Sequence, residues 1–460
     1  MKMITRRGIF LWILSALFVA GIVFMTLSLV HNGDEWVMKR FNHHVYSNGE
    51  LVGAGTIYDI DGDVLAQTKD GERLYSDSIT TRKSTLHVVG DRKNFISTGV
   101  QSVYDAKLTG YSLLFGVYNI ERYGTGNDMT LTIDKDICDA AYEALNGKKG
   151  TVGIVNYKTG DIICSVSSPS YDPEDIPYDL ETNEAYEGVY INRLISAHYV
   201  PGSTFKIVTA ICALENMDDA LSRKWVCEGK YQPEKGVAIT CEGYHGKIGL
   251  EEAFAKSCNA VFAQIAIELG AEKLEATAKE LGIGSSVSIG GAINSFGGTF
   301  NLEGIAADKL GWTGIGQGDT RLAPITMLRI ASAIANGGSV PSFNIVSGIA
   351  NRAGSALNIT LPANTTTLIN SETADKIGRL MANNGKVQYS DVVDKSLHVC
   401  AKTGTAQIDE IDAHNIAWFV GYMDDDEYPY AFVVTVENGG SGHYSAAPIA
   451  NKVLKAIKNK

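Results

Sequence analysis

The chain has 460 residues, 45% of them hydrophobic and 20% charged, which is the make-up of a folded protein with room for two domains and excludes a disordered one. Its formal net charge is −12, and no basic stripe with interleaved aromatics offsets it, so nucleic acid is not an expected partner.

The first element lies at the amino end. From Gly8 to Val30 no charged residue interrupts an apolar run long enough, at about 1.5 Å per residue, to cross a hydrocarbon core of roughly 30 Å. Lys2, Arg6 and Arg7 precede it and Asp34 and Glu35 follow it. The positive-inside bias therefore predicts a single-pass anchor in the cell membrane, residues 1–31, with the remainder extracytoplasmic. A cleaved secretory signal is the alternative, although its apolar core is usually only about 7–15 residues. Residues 32–148 then mix short β-like runs, such as Gly55-Thr56-Ile57-Tyr58 and Leu86-His87-Val88-Val89, with glycine-containing turns, which predicts an extended β-rich pedestal.

Near Gly150 the texture changes, and a second domain over 149–460 is expected. Thr151 to Val155 and Ile162 to Val166, joined by Lys158-Thr159-Gly160-Asp161, predict a hairpin. Apolar spacing of three and four predicts helices over Ser203–Leu214, Ala260–Leu269, Lys273–Leu281 and Pro324–Asn336. Strands return at Leu397–Ala401, Ile416–Tyr422 and Tyr430–Glu437, before a last helix over Pro448–Ile457. Strands from both ends of the domain bracketing a helical middle give an α+β class, an antiparallel sheet with helices packed on it.

Seven cysteines (Cys138, Cys164, Cys212, Cys227, Cys241, Cys258, Cys400) are an odd number, set mostly in core-like segments, and do not form a disulfide framework. Cys227 and Cys241 flank a polar loop and can pair or remain free thiols. No CxxC pair and no HExxH occur, and the nine histidines are scattered, so neither a metal nor another cofactor is expected. Two further temptations are read as turns: the glycine-rich Gly314-Ile315-Gly316-Gln317-Gly318, which lacks the strand-to-helix setting of a nucleotide loop, and the acidic Asp424-Asp425-Asp426-Glu427 between two β-like runs.

Three segments carry chemistry. Ser203 stands where a Pro201-Gly202 turn gives way to a helix, and Lys206 follows at i+3 on the same face, so its amine can reach the hydroxyl and, when neutral, take its proton. Ser257-Cys258-Asn259 lies between two helical segments; Ser257 can relay a proton and Asn259 offers both a donor and an acceptor. Lys402-Thr403-Gly404-Thr405 follows a β-like run, where glycine admits close backbone approach and the lysine and hydroxyls suit a carboxylate. A substrate strand laid along that edge would gain main-chain hydrogen bonds. Singly, the first two patterns are weak, since each arises by chance about once in a chain of this length.

Together and in this order, Ser203-x-x-Lys206, Ser257-x-Asn259 and Lys402-Thr403-Gly404 resemble the three motifs of penicillin-binding proteins. The flanking Tyr199-Val200-Pro201-Gly202 and Thr405-Ala406-Gln407 look like the class B, monofunctional transpeptidases. So do Leu131 to Asp134, Ser168 to Pro173, Gly316-Gln317-Gly318 and Ala417 to Gly421. The resemblance implies the penicillin-binding transpeptidase fold, an antiparallel five-stranded sheet with helices on both faces plus a helical subdomain, after a pedestal and one transmembrane helix.

It also implies that Ser203 attacks peptidoglycan stem peptides ending in D-Ala-D-Ala, and that β-lactams acylate the same serine. Lys206, Ser257, Asn259 and Lys402 would be the other catalytic residues. The backbone N–H groups of Ser203 and Thr405 would form the oxyanion hole, with Thr403, Gly404 and Thr405 binding substrate. A multispanning glycan polymerase of the shape, elongation, division and sporulation family is the implied partner, since the stretch before Gly150 is too short for a glycosyltransferase domain. Rival expectations are a β-lactamase or D,D-carboxypeptidase of the same fold, or a β-lactam sensor, the last disfavoured by the few residues before the span. One departure stands out: the Asp-Arg-Asn-Gly turn common in the family's pedestal reads Asp59-Ile60-Asp61-Gly62 here.

Overall fold

The protein is described from a computed structural model covering residues 2–460 except 40, 44, 48, 49, 52, 115, 118–125, 358–363 and 408–413. The amino-terminal run forms α1 (Lys2–Val37), and its Arg7–Val37 portion is long and apolar enough to cross a membrane, with none of its most apolar window buried in the protein. Its exposed Phe10, Leu11, Trp12 and Phe18 have no protein core to join and match a lipid environment.

Short strands follow: β1 (Ile57–Tyr58), β2 (Val64–Lys69) and β3 (Glu72–Tyr75). Next comes α2 (Ile79–Val89), capped by the Ser78 side chain, which accepts from the Thr81 N–H at 3.2 Å. Leu86-His87-Val88-Val89, expected to be β-like, is therefore the last turn of a helix. Tertiary packing overrides its β-branched composition: residues 84–89 are all buried, Ser84 and Thr81 hydroxyls donate to Asp139, and His87 Nε2 lies 2.7 Å from the Val189 carbonyl.

Next are β4 (Asn127–Leu131), α3 (Lys135–Leu145), capped by Asp134 and not anticipated in a β-rich pedestal, and the expected antiparallel hairpin β5 (Gly150–Asn156) and β6 (Ile162–Ser168). A one-turn 3-10 segment over Gly202–Phe205 leads into α4 (Lys206–Asn216). A small β-rich excursion holds β7 (Trp225–Cys227), β8 (Lys230–Tyr231), β9 (Ile239–Thr240) and β10 (Gly246–Ile248), with β7 paired to β10 and β8 to β9. Helices α5 (Leu250–Ala255), α6 (Asn259–Leu269), α7 (Ala271–Glu280), α8 (Ala307–Gly314) and α9 (Pro324–Ala335) make the helical part.

The later elements that frame the site are β11 (Val346–Asn351), α10 (Ser371–Val387), β12 (Val399–Ala406), β13 (Ile416–Met423), β14 (Tyr430–Val436) and α11 (Ala447–Asn459). Two five-stranded sheets result. One has the order β11-β4-β1-β2-β3, with β1 parallel to β4, so a strand from residues 346–351 completes the sheet of the amino-terminal region. The other, β12-β13-β14-β5-β6, is antiparallel throughout.

Every residue of β13 is buried, as are all but one of β5 and of β14. Strands buried this completely need cover on both faces. Helix α9 packs on β13, β14 and β5, while α3 and α11 pack on each other and against β6 and β14. Trp418 of β13 is fully buried and donates its indole N–H to Val200 O at 3.0 Å. Burying so large a ring contributes roughly 3 kcal/mol and pins the segment leading to Ser203 to the sheet.

The expected strand ending at Ala401 instead runs on through Lys402 to Ala406, because the threonines and the glycine fit an extended edge strand as readily as a turn. The acidic Asp424–Glu427 segment is the turn between β13 and β14, and Lys158 pairs with Asp426 at 2.8 Å. All seven cysteines are free thiols in the structure.

Candidate active site

Ser203 sits on the 3-10 turn whose shape depends on three glycines. Gly202 has φ +54°, and a Cβ there would come within 2.7 Å of Thr405 O. A Cβ on Gly404 would meet Pro201 O at 2.9 Å, and one on Gly316 would meet Gly202 O at 2.0 Å. Gly202 N–H donates to Gly316 O at 2.9 Å. The glycine-rich 314–318 segment is thus the bed on which the serine turn lies. Below the turn, the Tyr199 hydroxyl donates to Glu437, whose Oε1 also accepts from Arg193 Nε at 2.7 Å. Burial, reinforced by the Glu437 charge, pushes the tyrosine's pKa well up.

One turn on, at the start of α4, Lys206 is fully buried and its Nζ has four oxygen neighbours. Ser203 Oγ is at 3.0 Å, Ser257 Oγ at 3.0 Å, Ser257 O at 2.6 Å and Asn259 Oδ1 at 2.7 Å. Asn259 is oriented by its other amide atom, Nδ2 donating to Thr240 O at 3.1 Å. The Ser257 carbonyl and Asn259 Oδ1 can only accept, so they take two amine hydrogens. What remains, the third hydrogen or the lone pair, faces the two hydroxyls. Burial lowers Lys206 to about 8, against opposing pulls from Cys258, Cys241 and Glu242.

Ser257 occupies the loop between α5 and α6 with φ +51°, and Asn259 opens α6. From the sheet side, Lys402 is also buried, and its Nζ lies 3.0 Å from Ser257 Oγ and 3.1 Å from Thr403 O. Burial first, and the nearby Lys206 charge second, hold its pKa well below that of a free amine. Thr403 and Thr405 are half-buried on β12, which is the outermost strand of its sheet among the described residues.

Ser203, Lys206, Ser257, Asn259 and Lys402 are therefore joined in one hydrogen-bonded cluster, and the packing of Gly202 and Gly404 sets Thr403, Gly404 and Thr405 beside the serine turn. Chemically, this is a hydroxyl next to an amine of depressed pKa, a second hydroxyl bridging two amines, and an edge strand able to receive a peptide. Sequence reasoning missed Tyr389, whose hydroxyl accepts from Thr403 N–H at 2.9 Å and lies 3.2 Å from Thr403 Oγ1. An isolated tyrosine carried no signal. It also missed that Cys227, Cys241, His245 and Cys258 gather at one point; the short Cys241-x-x-x-His245 spacing was the available hint.

A family model described as penicillin binding protein transpeptidase domain matches residues 150–455. Among curated proteins, the chain is 30% identical over 399 residues to peptidoglycan D,D-transpeptidase PbpA of Mycobacterium tuberculosis, covering 79% of this chain and 80% of that protein. It is 29% identical to the PbpA of Mycolicibacterium smegmatis over the same shares. Among solved structures, the ceftriaxone acyl-enzyme of penicillin-binding protein A from M. tuberculosis superimposes with a TM-score of 0.77 at 27% identity, covering 88% of this chain and 98% of that one. A D,D-transpeptidase domain from Eggerthella lenta also gives 0.77, at 25% identity, covering 90% and 99%.

Proposed function

Because this chain belongs to the penicillin-binding protein transpeptidases, we propose that it cross-links peptidoglycan by acyl transfer through Ser203 and that β-lactams are caught at the same hydroxyl. The observation that carries the assignment to Ser203 is its 3.0 Å contact with the buried Lys206 amine. Ser203 Oγ attacks the carbonyl of the penultimate D-alanine of a stem peptide while Lys206 Nζ accepts its proton. The tetrahedral intermediate collapses, the bond to terminal D-alanine breaks, and the proton passes through Ser257 to the leaving amine. An amine of a neighbouring stem then attacks the ester, its proton returns along the same path, and Ser203 is restored.

Backbone N–H groups of Ser203 and Thr405 receive the oxyanion; losing such a donor typically costs about 3 kcal/mol in the transition state. Lys402, Thr403 and Thr405 hold the terminal carboxylate, and Gly404 lets the stem peptide lie against β12. Asn259 orients the base through its Oδ1. Hydrolytic readings, as a carboxypeptidase or β-lactamase, differ only in sending water to the ester. Incubating the detergent-purified chain with a stem pentapeptide and a labelled D-amino acid separates them: exchange of the label into the terminal position supports the transfer reading, and tetrapeptide alone would replace it by hydrolysis.

The finer organisation belongs to the same proposal. Residues 1–31 form a single-pass anchor with the remainder extracytoplasmic, a reading supported by the apolar helix and the flanking charges. Residues 32–148 form the pedestal and 149–460 the transpeptidase domain, supported by the extent of the family match. A multispanning glycan polymerase of the shape, elongation, division and sporulation family partners the anchor and pedestal; co-purification from membranes after cross-linking tests it, and absence of the polymerase would count against it.

A further inference from the structure

Beside the Ser257-Asn259 motif, four ligating side chains from three separate stretches converge. Cys227 ends β7, Cys241 follows β9, His245 precedes β10, and Cys258 is the residue before α6. Their ligand atoms all lie within 4.8 Å of one another; Cys227 and Cys258 are buried, and Cys241 and His245 half-buried. The spacings are informative. Cys241 Sγ is 3.8 Å from Cys258 Sγ, and His245 Nδ1 is 3.5 Å from Cys227 Sγ and 3.6 Å from Cys241 Sγ.

A tetrahedral ion about 2.3 Å from sulfur and about 2.05 Å from imidazole nitrogen places two sulfurs ~3.8 Å apart and a sulfur and nitrogen ~3.6 Å apart. The three separations match. None suits a disulfide, whose sulfurs stand about 2.05 Å apart, and the imidazole nitrogen lies close to both Cys227 and Cys241. A metal bound at Nδ1 would leave the ring proton on Nε2.

We propose that Cys227, Cys241, His245 and Cys258 form a structural Zn²⁺ site of the closed, three-cysteine, one-histidine type. Four protein ligands leave no position open for substrate, so the ion is a clamp and not a reactant. Its consequence lies in Cys258, the middle residue of Ser257-Cys258-Asn259. Fixing that sulfur fixes the backbone at Ser257, held at φ +51°, and the start of α6, and through them two residues that hold the Lys206 amine. The loops carrying β7 to β10 have few regular hydrogen bonds of their own, and a metal would join them to the active-site wall.

The full chain, purified in detergent without chelators, should carry about one zinc per molecule by elemental mass spectrometry. Titrating the reduced, zinc-stripped protein with Co²⁺ should give the thiolate charge-transfer and d–d bands of a tetrahedral site. In the double variant Cys241→Ser, His245→Ala the zinc content should fall below about 0.2 per chain. Wild-type protein that holds no zinc and gives no cobalt spectrum would overturn the proposal. So would undiminished zinc in the double variant, or a disulfide joining any two of these cysteines in protein freshly extracted from membranes. Metal content does not depend on the reading of Ser203. The accompanying expectation, that removing zinc slows β-lactam acylation at least tenfold and that re-adding Zn²⁺ restores it, does.

Discussion

Lys206 and Lys402, far apart in the chain, bring their Nζ atoms to the same oxygen, each 3.0 Å from Ser257 Oγ. A hydroxyl has two lone pairs and one hydrogen. When Lys402 donates to Ser257 Oγ, the serine's own hydrogen is free to face the Lys206 lone pair, which makes Ser257 a relay and ties the protonation of the two amines together. Full burial and mutual repulsion both work against two ammonium groups here.

Lys206→Ala should therefore slow acylation by benzylpenicillin by roughly 10²–10⁴-fold, the usual worth of a positioned general base. Stopped-flow measurement of adduct formation gives the rate, and far-ultraviolet circular dichroism should remain that of the wild type. An unchanged rate would remove Lys206 as the proton acceptor.

The pH dependence follows from the same amine. Burial lowers Lys206 to about 8, and only the neutral form above that value accepts a proton. The second-order acylation rate should thus rise about tenfold per pH unit on the acid side and level off above about 8. A profile flat from pH 6 to about 9 would contradict the sign as well as the position.

Two neighbouring glycines should behave differently. Both Gly316 and Gly318 have positive φ, but a Cβ on Gly316 would meet Gly202 O at 2.0 Å, whereas one on Gly318 meets nothing within 4 Å. Gly318→Ala should cost about 1 kcal/mol for the left-handed conformation and leave acylation nearly intact. Gly316→Ala should lower the melting temperature further and slow acylation by displacing the Ser203 turn. Equal effects of the two substitutions would show that the turn does not rest on Gly316.

Tyr389→Phe removes a buried acceptor of the Thr403 N–H. The loss should destabilise the protein by about 1–3 kcal/mol and raise the KM for stem peptide more than it lowers kcat, because β12 is where substrate lies. A fall confined to kcat would place Tyr389 in the chemistry instead.

The reactive cluster was legible in the sequence because each piece is a short contiguous motif whose residue types announce their chemistry. Apolar helices α6 and α9, and strands β13 and β14, were legible through apolar spacing, whereas the longer, more polar α10 (Ser371–Val387) was not. Other features depended on contacts remote in sequence. Leu86-His87-Val88-Val89 is helical because Ser78 caps the segment and Asp139 receives its hydroxyls. Strand β11 leaves its sequence neighbours to complete the sheet of β4. The gathering of Cys227, Cys241, His245 and Cys258 depends on how two small strand pairs fold back on α6, of which the sequence shows locally only the Cys241-x-x-x-His245 spacing.

The most direct test is the site of the covalent bond. The full chain is treated with benzylpenicillin, digested, and the adduct located by tandem mass spectrometry, with Ser203→Ala as control. One adduct on the peptide containing Ser203, absent from the variant, is the expected result; an adduct on any other residue, or one that persists in Ser203→Ala, would contradict the account.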